Sequence, residues 1–586
     1  MVRKLPPKDV VIIGLGWTGS ILGYELAKAG LDIVAIERGP WRDTATDFPP
    51  ATSQDELRYA VRLDLFLRPD QETLTFRNSM SQTALPIRSF SGFLPGNGVG
   101  GAGIHWNGQT WRFLPADFQL RSHLEQRYGK ALPPDMTIQD WPVSYDELEA
   151  SYDRFEKLCG TSGKAGNLRG VKQPGGNPFE GWRSSEYPTP PLKQGLGATL
   201  FAEAASKTGH SPFPQPASNL SEAYVNPLGV KLGQCSYCGF CERFGCGNYA
   251  KASPQTSVLP ALMRYPNFAV QTESEVTKIN LDSDGKRATG VTYVDTSGEA
   301  WEQPANLVLL CAFSFFNVRL MLLSGIGKPY DAQTGQGVVG RNYAYQTTSS
   351  VNLILKDKIL NPFIATGAHG MIIDDYNGDN FDHSGLGFFG GGYMGFGQTG
   401  ARPIQTRPTP SGTPKWGAQW KKATAETYQR ACSLATHGSS YSYKDCYLDL
   451  DPTFKDRFGR PLMRMTFDFH DNELKMSAFL TDRLAEIGRA MDPVELVAVP
   501  RKGPYDSTIY QTSHNTGGTV MGADPATSVV NRYCQSWDVH NVFVPGGASV
   551  FPQNHGYNPT NTVGALAYWT ADAIKDRYLK NPGPLG

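Results

Sequence analysis

This chain of 586 residues lacks long apolar runs, an excess of one charge and a high content of cysteine. No stretch approaches 18 consecutive apolar residues, so we expect no transmembrane helix. The 55 Lys+Arg residues balance the 55 Asp+Glu residues, and this neutral charge gives no reason to expect nucleic acid or an anionic membrane surface as a partner. Nine cysteines are too few for a disulfide scaffold.

The N-terminal residues also lack the features of a signal peptide. Two prolines stand where its apolar run would lie, and the first apolar run leads into a glycine loop rather than a cleavage site. We therefore expect no export signal in this chain. Its length predicts two or more domains, and 63 glycines with 42 prolines predict many turns and long irregular connections.

What the N-terminus does contain is a strand–helix–strand unit of the dinucleotide-binding type. The run VVII precedes the loop GLGWTG, an amphipathic stretch follows from Ser20 to Ala29, and a second apolar run ends at Glu37. Gly14 permits the tight turn, Gly16 lets the backbone approach a pyrophosphate, and Gly19 lets the helix pack closely on the strand. Glu37 is placed to accept from ribose hydroxyls. The unit predicts adenine-dinucleotide binding but does not separate FAD from NAD.

Further glycine-rich segments lie at residues 96–112 and near the C-terminus. The first, GNGVGGAGIHWNGQTWR, has too many glycines for a regular helix or strand and can line a flavin at close range. The C-terminal part contains SHNTGGTVMG, NVFVPGGASVFP and NHGYNPTNTVGALAYW. The last of these predicts a helix that starts at its proline and directs its N-terminus at the preceding residues.

Four of the nine cysteines fall within the segment CSYCGFCERFGC, at Cys235, Cys238, Cys241 and Cys246. A zinc site favours two separated C-x2-C pairs, and disulfides between such close neighbours would be strained. Closely spaced thiolates on one loop favour an iron–sulfur cluster, although this spacing is one residue longer than a common cluster motif. A reduced flavin holds two electrons, and a cluster within tunnelling reach would pass them on singly.

The chain resembles the glucose–methanol–choline (GMC) flavin oxidoreductases. The resemblance rests on GLGWTG with Glu37, GGAGIHWNGQTWR, WPVSYDELEASYDRFE, RLMLLSGIG, HNTGGTVMG and the NPT segment, which occur from end to end in family order. The cysteine cluster narrows the resemblance to the flavoprotein subunits of bacterial membrane-bound sugar and sugar-acid dehydrogenases.

The resemblance implies a set of site residues. His514 and Asn558 correspond to the family's active-site pair, in which an imidazole with a pKa of about 6.5 suits removal of a hydroxyl proton and the amide orients that hydroxyl. His105 belongs to an HW pair that some relatives bond covalently to the flavin. The FAD-binding positions implied are Gly14, Gly16, Gly19, Glu37, Gly100, Gly101, His105, Asn107, Gly547, Ala548, Asn558, Pro559 and Thr560.

The resemblance also implies the type of cluster. Relatives in this group carry a [3Fe-4S] cluster on three cysteines, and the positions most similar to theirs are Cys235, Cys241 and Cys246. The role of Cys238 stays open, because all four thiols could bind a [4Fe-4S] cluster instead. Outside the loop, Cys432 and Cys446 form either a disulfide or two free buried thiols.

The implied fold is α/β, with a doubly wound, Rossmann-like FAD-binding domain and a substrate domain built on an antiparallel sheet with helices on one face. By the family pattern, the FAD-binding domain comprises residues 8–115, 256–345 and 510–586. Residues 116–255 form a substrate or covering region, with a helical stretch at 144–158, a Pro/Gly-rich connection at 163–233 and the iron–sulfur loop at 235–246. Residues 346–509 form the substrate domain. We expect LGFFGGGYMGF at 386–396 to line or cover the substrate cavity.

The predicted function is an FAD-dependent dehydrogenase that oxidises a sugar, sugar acid or polyol, with gluconate favoured and fructose, sorbitol or glucose as alternatives. The resemblance implies a multihaem cytochrome c subunit as electron acceptor, and a small subunit whose export signal carries the folded chain to the periplasmic face of the inner membrane. Membrane contact would come only through the partner. Two alternative functions remain. One is an oxygen-using alcohol oxidase, which needs no electron relay; the other is a non-catalytic electron-transfer subunit, which needs neither His514 nor Asn558.

Overall fold

The computed structural model describes residues 2–48, 63–90, 92–129, 132–399 and 407–586. Its helices are α1 (Trp17–Lys28), α2 (Thr44–Asp47), α3 (Leu120–Tyr128), α4 (Tyr145–Cys159), α5 (Leu196–Lys207), α6 (Pro254–Ser257), α7 (Leu259–Leu262), α8 (Ser314–Ser324), α9 (Ala418–Thr427), α10 (Asp471–Arg489) and α11 (Thr560–Ala573).

The strands are mostly short and are distributed over the whole chain. They are β1 (Arg3–Lys4), β2 (Lys8–Ile13), β3 (Ile33–Ile36), β4 (Leu74–Arg77), β5 (Leu85–Pro86), β6 (Asn167–Leu168), β7 (Val171–Lys172), β8 (Phe213–Pro214), β9 (Tyr224–Val225), β10 (Lys231–Leu232), β11 (Phe268–Gln271), β12 (Glu275–Leu281), β13 (Ala288–Val294), β14 (Ala300–Leu310), β15 (Ala344–Tyr345), β16 (Thr347–Leu355), β17 (Gly370–Ile373), β18 (Gly392–Gly397), β19 (Ala431–Gly438), β20 (Tyr447–Lys455), β21 (Pro461–Thr466), β22 (Pro493–Val499), β23 (Asn515–Thr516) and β24 (Val542–Phe543).

The first large sheet has the strand order β11-β3-β2-β14-β13-β12, and β1 and β24 also pair with β14. The pairs β11–β3, β3–β2 and β2–β14 are parallel, whereas β12, β13 and β14 are antiparallel. Strand β3 (IVAI) and the VVII part of β2 are fully buried, as expected of central parallel strands that are covered on both faces. The sheet therefore joins parts of the chain that lie more than 500 residues apart.

Helix α1 follows β2 directly, as the dinucleotide-binding pattern predicted. Gly14 adopts a left-handed φ of 89° at the turn, and a Cβ added at Gly19 would collide with the Gly14 carbonyl oxygen. The helix begins at Trp17, three residues earlier than the amphipathic stretch suggested, because Gly16 is the N-cap. Helix α1 packs against α11, which packs in turn against α4.

The second large sheet has the order β22-β16-β19-β18-β17-β8 and all its pairs are antiparallel. Helices α10 and α5 pack against it and against each other. Helix α5 lies within residues 163–233, which the sequence suggested to be a Pro/Gly-rich connection. Its segment LGATLFAEAASK is rich in alanine and other good helix formers, and this local preference outweighs the turn residues that flank it.

A smaller sheet, β20-β21-β4-β5, links two regions that the family pattern separates. Strand β4 pairs in parallel with β21, so a hairpin from the first predicted FAD-binding segment joins strands of the predicted substrate domain. The proposed division into domains remains a prediction. Among the described residues, no helix has the length and apolar character needed to cross a bilayer.

All nine cysteines are free thiols. Cys432 lies in the centre of the second sheet, opposite Leu353, and Cys446 donates to the Asp468 carbonyl at 3.7 Å. Of the two alternatives for Cys432 and Cys446, the structure therefore has free buried thiols.

Candidate active site

A deep cavity of about 300 Å³ lies at the carboxyl ends of the parallel strands. This volume is typical of ligand sites in proteins. Most of the predicted flavin and active-site residues line it: Gly14, Gly16, Glu37, Gly101, His105, Asn107, His514, Gly547, Ala548, Asn558, Pro559 and Thr560. Gly19 and Gly100 do not line it, because Gly19 faces the Gly14 carbonyl and Gly100 lies against the Gln255 side chain.

The N-termini of three helices border the cavity. Helix α1 begins after Gly16, α8 begins at Ser314, and α11 begins at Thr560, with Pro559 as its N-cap. The first turn of a helix has unpaired N–H groups and the positive end of the helix dipole. Three such ends around one cavity suit an anionic ligand such as the diphosphate of a dinucleotide.

The two N-terminal glycine loops form one wall of the cavity by direct backbone contact. The Gly100 N–H donates to the Leu15 carbonyl at 2.7 Å. A Cβ at Gly101 would lie 3.4 Å from Gly16 Cα, and a Cβ at Gly16 would meet only the Gly100 oxygen, at 3.9 Å. Without side chains, this wall leaves room for a ligand to approach the backbone itself.

Glu37 stands at the end of β3, where a ribose was expected. Its Oε2 accepts from the Leu15 N–H at 3.0 Å and its Oε1 accepts from the Gly39 N–H at 2.9 Å. Glu37 therefore holds the first glycine loop in place. Each carboxylate oxygen has a second lone pair, so this role leaves acceptor capacity for a ribose hydroxyl.

Several buried polar atoms at the cavity wall have no hydrogen-bond partner among the described residues: His105 Nε2, Trp17 Nε1 and the two side-chain polar atoms of Gln511. Burial, with the positive charges of Lys251 and Arg243, lowers the pKa of His105 to about 3. Its imidazole is therefore neutral. Buried polar atoms are rarely left unpaired, so this wall fits a polar ligand such as FAD, and a neutral imidazole has the lone pair that a covalent bond to flavin requires.

The predicted catalytic pair lies together at one end of the cavity. Asn558 Nδ2 is 3.1 Å from His514 Nε2. On its other side, His514 Nδ1 is 2.5 Å from the side-chain oxygen of Gln346. Tyr393 donates its hydroxyl hydrogen towards Asn558 Oδ1, at 2.8 Å, and so fixes the amide.

A second histidine, His437, shares the Gln346 oxygen at 3.2 Å. Gln346 Nε2 donates to the His555 and Gly556 carbonyls, so its oxygen faces both imidazoles. Both imidazoles therefore have hydrogen on Nδ1 and a lone pair on Nε2. The His437 ring stacks on Tyr393 with centroids 4.8 Å apart. Sequence reasoning missed His437 and Gln346, since neither lies in a recognisable motif.

The protonation of His514 differs from the expectation of a pKa near 6.5. Burial, with a smaller contribution from His437, lowers the pKa of His514 to about 3. Burial also lowers the pKa of His437 to about 4. Both rings are therefore neutral at physiological pH, which is the form a general base needs.

His555 and the segment 386–396 lie outside the cavity lining. His555 pairs with Asp117 at 3.2 Å. Residues 386–396 therefore do not line the cavity, and the alternative that they cover it stays a prediction. Tyr393, within that segment, contacts the cavity only indirectly, through its hydrogen bond to Asn558 Oδ1.

The cavity end beside Glu37 has a buried ion-pair network that the sequence did not reveal. Glu72 pairs with both Arg38 and Arg319, and Arg319 also pairs with Asp456 at 2.6 Å. Arg460 bonds the same Asp456 at 2.8 Å. These ion pairs connect the region of the first glycine loop to β21 and its neighbours. They close this end of the cavity, and each buried charge there has an opposite charge as its partner.

The four clustered cysteines lie on one loop next to this cavity. Cys241 is buried and the other three are half-buried. No three of these thiols have Sγ atoms within 4.8 Å of one another, whereas ligands of one zinc ion at about 2.3 Å would. The thiols of this loop are therefore spaced more widely than the ligands of one zinc ion.

Hydrogen-bond donors point at the sulfur atoms of this loop. The Tyr237 N–H donates to Cys235 Sγ at 3.4 Å, and Asn219 Nδ2 donates to Cys241 Sγ at 3.6 Å. The Tyr237 backbone has a left-handed φ of 56°, which aims its N–H inwards. Donors to sulfur stabilise thiolate ligands and are one means of tuning iron–sulfur centres. The loop therefore fits such a centre.

The cysteine loop contacts the flavin-side loop directly. The Arg243 N–H donates to the His105 carbonyl at 2.8 Å. Lys251 Nζ donates to the Trp106 carbonyl and to two carbonyls of the cysteine loop, each at 2.7 Å. The loops that contain the residues proposed for the two cofactors are thus joined by direct hydrogen bonds.

Known proteins show similarity over the whole chain. Family profiles described as GMC oxidoreductase match residues 218–348 and 442–567. The chain is 50% identical to a gluconate 2-dehydrogenase flavoprotein from Pantoea cypripedii, with 100% of this chain and 96% of that protein aligned. It is 26% identical to the fructose dehydrogenase large subunit of Gluconobacter japonicus, with 97% of each covered.

Solved structures show a similar fold. Pyridoxine 4-oxidase from Mesorbium loti superposes with a TM-score of 0.61 over 97% of this chain and 99% of that chain, at 16% identity. At this identity the likeness concerns the fold alone.

Proposed function

This chain belongs to the GMC oxidoreductase family, and on that premise we propose that it is an FAD-dependent dehydrogenase that oxidises a secondary or primary alcohol group of a sugar acid, with gluconate as substrate. The observation that carries the proposal is the pair His514 and Asn558, held by Gln346 at the end of a cavity that three helix N-termini border. Identity of 50% to a gluconate 2-dehydrogenase flavoprotein supports the choice of substrate.

Enzymes of this family bind FAD, and the residues around the cavity fit it. The glycine loops and the first turns of α1 and α11 would hold the diphosphate, Glu37 would hold the ribose, and His105 would lie against the flavin. When bound, FAD supplies the acceptor for the hydrogen that leaves the substrate carbon with its electron pair. A covalent bond from His105 Nε2 to the flavin remains part of the proposal.

His514 acts as the general base. A substrate hydroxyl within reach of His514 Nε2 and Asn558 Nδ2 donates its hydrogen to the imidazole and accepts one from the amide. As the proton moves to Nε2, the ring becomes positive, and the Gln346 oxygen at Nδ1 stabilises that charge. The walls around the imidazole exclude water and keep it neutral until substrate arrives.

His437 provides a second acceptor in the same cavity. Its Nε2 has no hydrogen-bond partner among the described residues, and the ring lines the cavity beside His514. A polyhydroxylated substrate has a second hydroxyl next to the one that reacts. We assign His437 Nε2 to accept from that neighbouring hydroxyl, which favours vicinal diols and polyols over simple alcohols.

We further propose that the cysteine loop binds an iron–sulfur cluster, with [3Fe-4S] on Cys235, Cys241 and Cys246 favoured over [4Fe-4S] on all four thiols including Cys238. Such a cluster, when bound, supplies a one-electron carrier. Direct hydrogen bonds between the cysteine loop and the His105–Trp106 loop support a relay between the two sites.

The acceptor beyond the cluster is proposed to be a multihaem cytochrome c subunit. A small partner subunit would bring the folded chain to the periplasmic face of the inner membrane. The names of two relatives, a "flavoprotein" and a "large subunit", support an assembly of several chains. No sequence feature of this chain argues for contact with nucleic acid.

The test is anaerobic mixing of the purified flavoprotein with gluconate, fructose, sorbitol and glucose, followed by flavin absorbance. We expect gluconate to bleach the flavin, an artificial acceptor to restore it, and oxygen to be consumed only slowly. His514→Ala is the matched control and should show slow bleaching with the same flavin content.

The other outcomes separate the alternatives. Rapid oxygen uptake would indicate an alcohol oxidase. If fructose, sorbitol or glucose bleaches the flavin and gluconate does not, the substrate is another sugar or polyol and the proposed mechanism is unchanged. No bleaching by any alcohol would indicate a non-catalytic electron-transfer subunit and refute the proposal.

A further inference from the structure

Lys251 is a buried cation without a carboxylate partner. The residue is 1% exposed, and its Nζ donates to the carbonyls of Trp106, Cys241 and Phe244, each at 2.7 Å. These bonds use all three N–H groups of the ammonium. Among the residues that the structure describes, no carboxylate forms an ion pair with it.

Carbonyl oxygens satisfy the hydrogen bonds of this ammonium but do not neutralise its charge. Removing a full charge from water is costly unless a counter-charge lies near it, so buried lysines are almost always paired. Burial lowers the pKa of Lys251, and the negative charges that oppose this effect are those of Cys241, Cys246 and Cys238 as thiolates and of Glu242. Lys251 Nζ donates to the Cys241 carbonyl at 2.7 Å, so this ligand brings negative charge close to the ammonium when the centre is bound.

The position of Lys251 also links two loops. The Trp106 carbonyl belongs to the loop that places His105 at the cavity, whereas the Cys241 and Phe244 carbonyls belong to the cysteine loop. The Lys251 backbone is itself held by a bridge to Asn219, whose side chain donates to Cys241 Sγ. One ammonium therefore contacts both proposed cofactor loops and is anchored beside a sulfur ligand.

We propose that Lys251 is a positioning residue for the iron–sulfur centre: its charge offsets the ligand thiolates, raises the reduction potential of the centre, and holds the cysteine loop against the flavin-side loop. The inference rests on the proposed function, because it requires that the centre exists. A fixed positive charge favours the more negative, reduced form of a redox centre. A higher potential makes electron transfer from the flavin side more favourable.

The first experiment compares the full-length protein with Lys251→Gln, which removes the charge, and Lys251→Arg, which keeps it. Iron and acid-labile sulfide are measured first, and the potential of the centre is then titrated by electron paramagnetic resonance. We expect Lys251→Gln to disfavour reduction at least tenfold, which is 59 mV for one electron, and Lys251→Arg to stay close to wild type. Lys157→Gln, at a half-buried ion pair with Asp153, is the charge-loss control.

A second experiment uses thermal stability and does not depend on the potential. In a chain with Cys241→Ser, which lacks the centre, the ammonium is left without its counter-charge. We expect Lys251→Gln to raise the melting temperature in that background and to lower it in the chain that has the centre. A purely structural lysine would make the substitution destabilising in both backgrounds.

The outcomes separate this inference from the proposed function. Wild-type protein without iron and sulfide would refute the centre itself, and this inference with it. A centre present at an unchanged potential in Lys251→Gln would overturn the role of Lys251 alone. If Lys251→Gln fails to assemble the centre, the stability comparison decides: a rise in melting temperature in the Cys241→Ser background supports the inference, and a fall overturns it.

Discussion

Nδ1 of His514 lies 2.5 Å from the side-chain oxygen of Gln346, and the same oxygen lies 3.2 Å from Nδ1 of His437. The amide group of Gln346 donates in the opposite direction, to two backbone carbonyls, so its orientation follows from the surrounding hydrogen bonds. One glutamine thereby sets the tautomer of two imidazoles and directs both Nε2 lone pairs away from itself, His514 Nε2 towards Asn558.

The first prediction concerns His514 itself. His514→Ala should slow anaerobic flavin reduction by the roughly 10²–10⁴-fold that a general base contributes, with flavin and iron contents unchanged. Asn558→Ala should lose less, because the amide positions the hydroxyl and takes no proton. Rapid mixing with gluconate measures this step directly. A wild-type rate for His514→Ala would place the base elsewhere, and His437 would be the next residue to replace.

The second prediction concerns the acceptor at Nδ1. Since burial lowers the pKa of His514 to about 3, its protonation should not slow flavin reduction between about pH 5 and pH 8. In Gln346→Glu, a carboxylate at the same position favours the protonated imidazole and raises this pKa. The reduction rate should then fall as pH decreases through the new value.

Gln109→Glu is the control for that experiment, because Gln109 bonds Tyr393 rather than either imidazole. It adds the same negative charge to the cavity wall. If Gln346→Glu and wild type have the same pH profile, the Gln346 contact does not control the base.

The third prediction concerns the cysteine loop. Cys241→Ser should leave flavin reduction by substrate intact but abolish iron and sulfide and strongly reduce electron delivery to a cytochrome. Cys159→Ser, at a buried thiol of α4 outside the loop, is the matched control. Stoichiometric zinc in the wild-type protein, instead of iron, would be incompatible with the relay.

Replacing Cys238 tests the number of ligands. If the cluster is [3Fe-4S] on the other three thiols, Cys238→Ser should retain iron, sulfide and electron delivery. Loss of the cluster in Cys238→Ser would indicate four ligands and favour [4Fe-4S].

The fourth prediction concerns His105. If its Nε2 bonds the flavin, acid-precipitated protein should stay yellow and fluoresce on a denaturing gel, whereas His105→Ala should release all its flavin. A colourless wild-type precipitate with free FAD in solution would exclude the covalent bond but not the contact.

The fifth prediction concerns stability against pH. The folded-state pKa values are about 3 for His105 and His514 and about 4 for His437, below the ordinary value of 6.5. Between these lowered pKa values and 6.5, each of the three histidines binds a proton in the unfolded chain but not in the folded chain. The free energy of unfolding should therefore be highest above pH 6.5 and fall with decreasing pH by about 1.4 kcal/mol per pH unit for each proton.

Urea unfolding of the wild type and of His437→Gln at pH 7 and pH 5 measures this effect. The variant should lose less stability between the two pH values, because one of the three histidines is gone. His540→Gln, outside the cavity lining, should behave as wild type. An equal loss in His437→Gln and wild type would contradict the burial of a neutral His437.

Much of the site was predictable from local sequence. Each glycine loop, the turn before α1 and the start of α11 are short-range features, in which a few adjacent residues decide the backbone conformation. The prediction that the chain is a GMC oxidoreductase is confirmed by the family profiles and by the 50% identical relative. The helix expected at 144–158 is also confirmed as Tyr145–Cys159, since its N-cap Ser144 and Glu147 form a capping box that the sequence displays.

The sequence by itself determined the two glycine loops, the order of the family motifs and the choice of His514 and Asn558 as the proposed catalytic pair, because each depends on residues that are neighbours in the chain. Only the tertiary structure decided that Gln346 joins His437 and His514, which lie 91 and 168 residues away along the chain, and that Lys251 bonds Trp106, 145 residues before it. The sheets and the packed loops bring these groups together. The protonation of the histidines was likewise decided by burial, since the removal of water lowers their pKa values and depends on every element that surrounds the cavity.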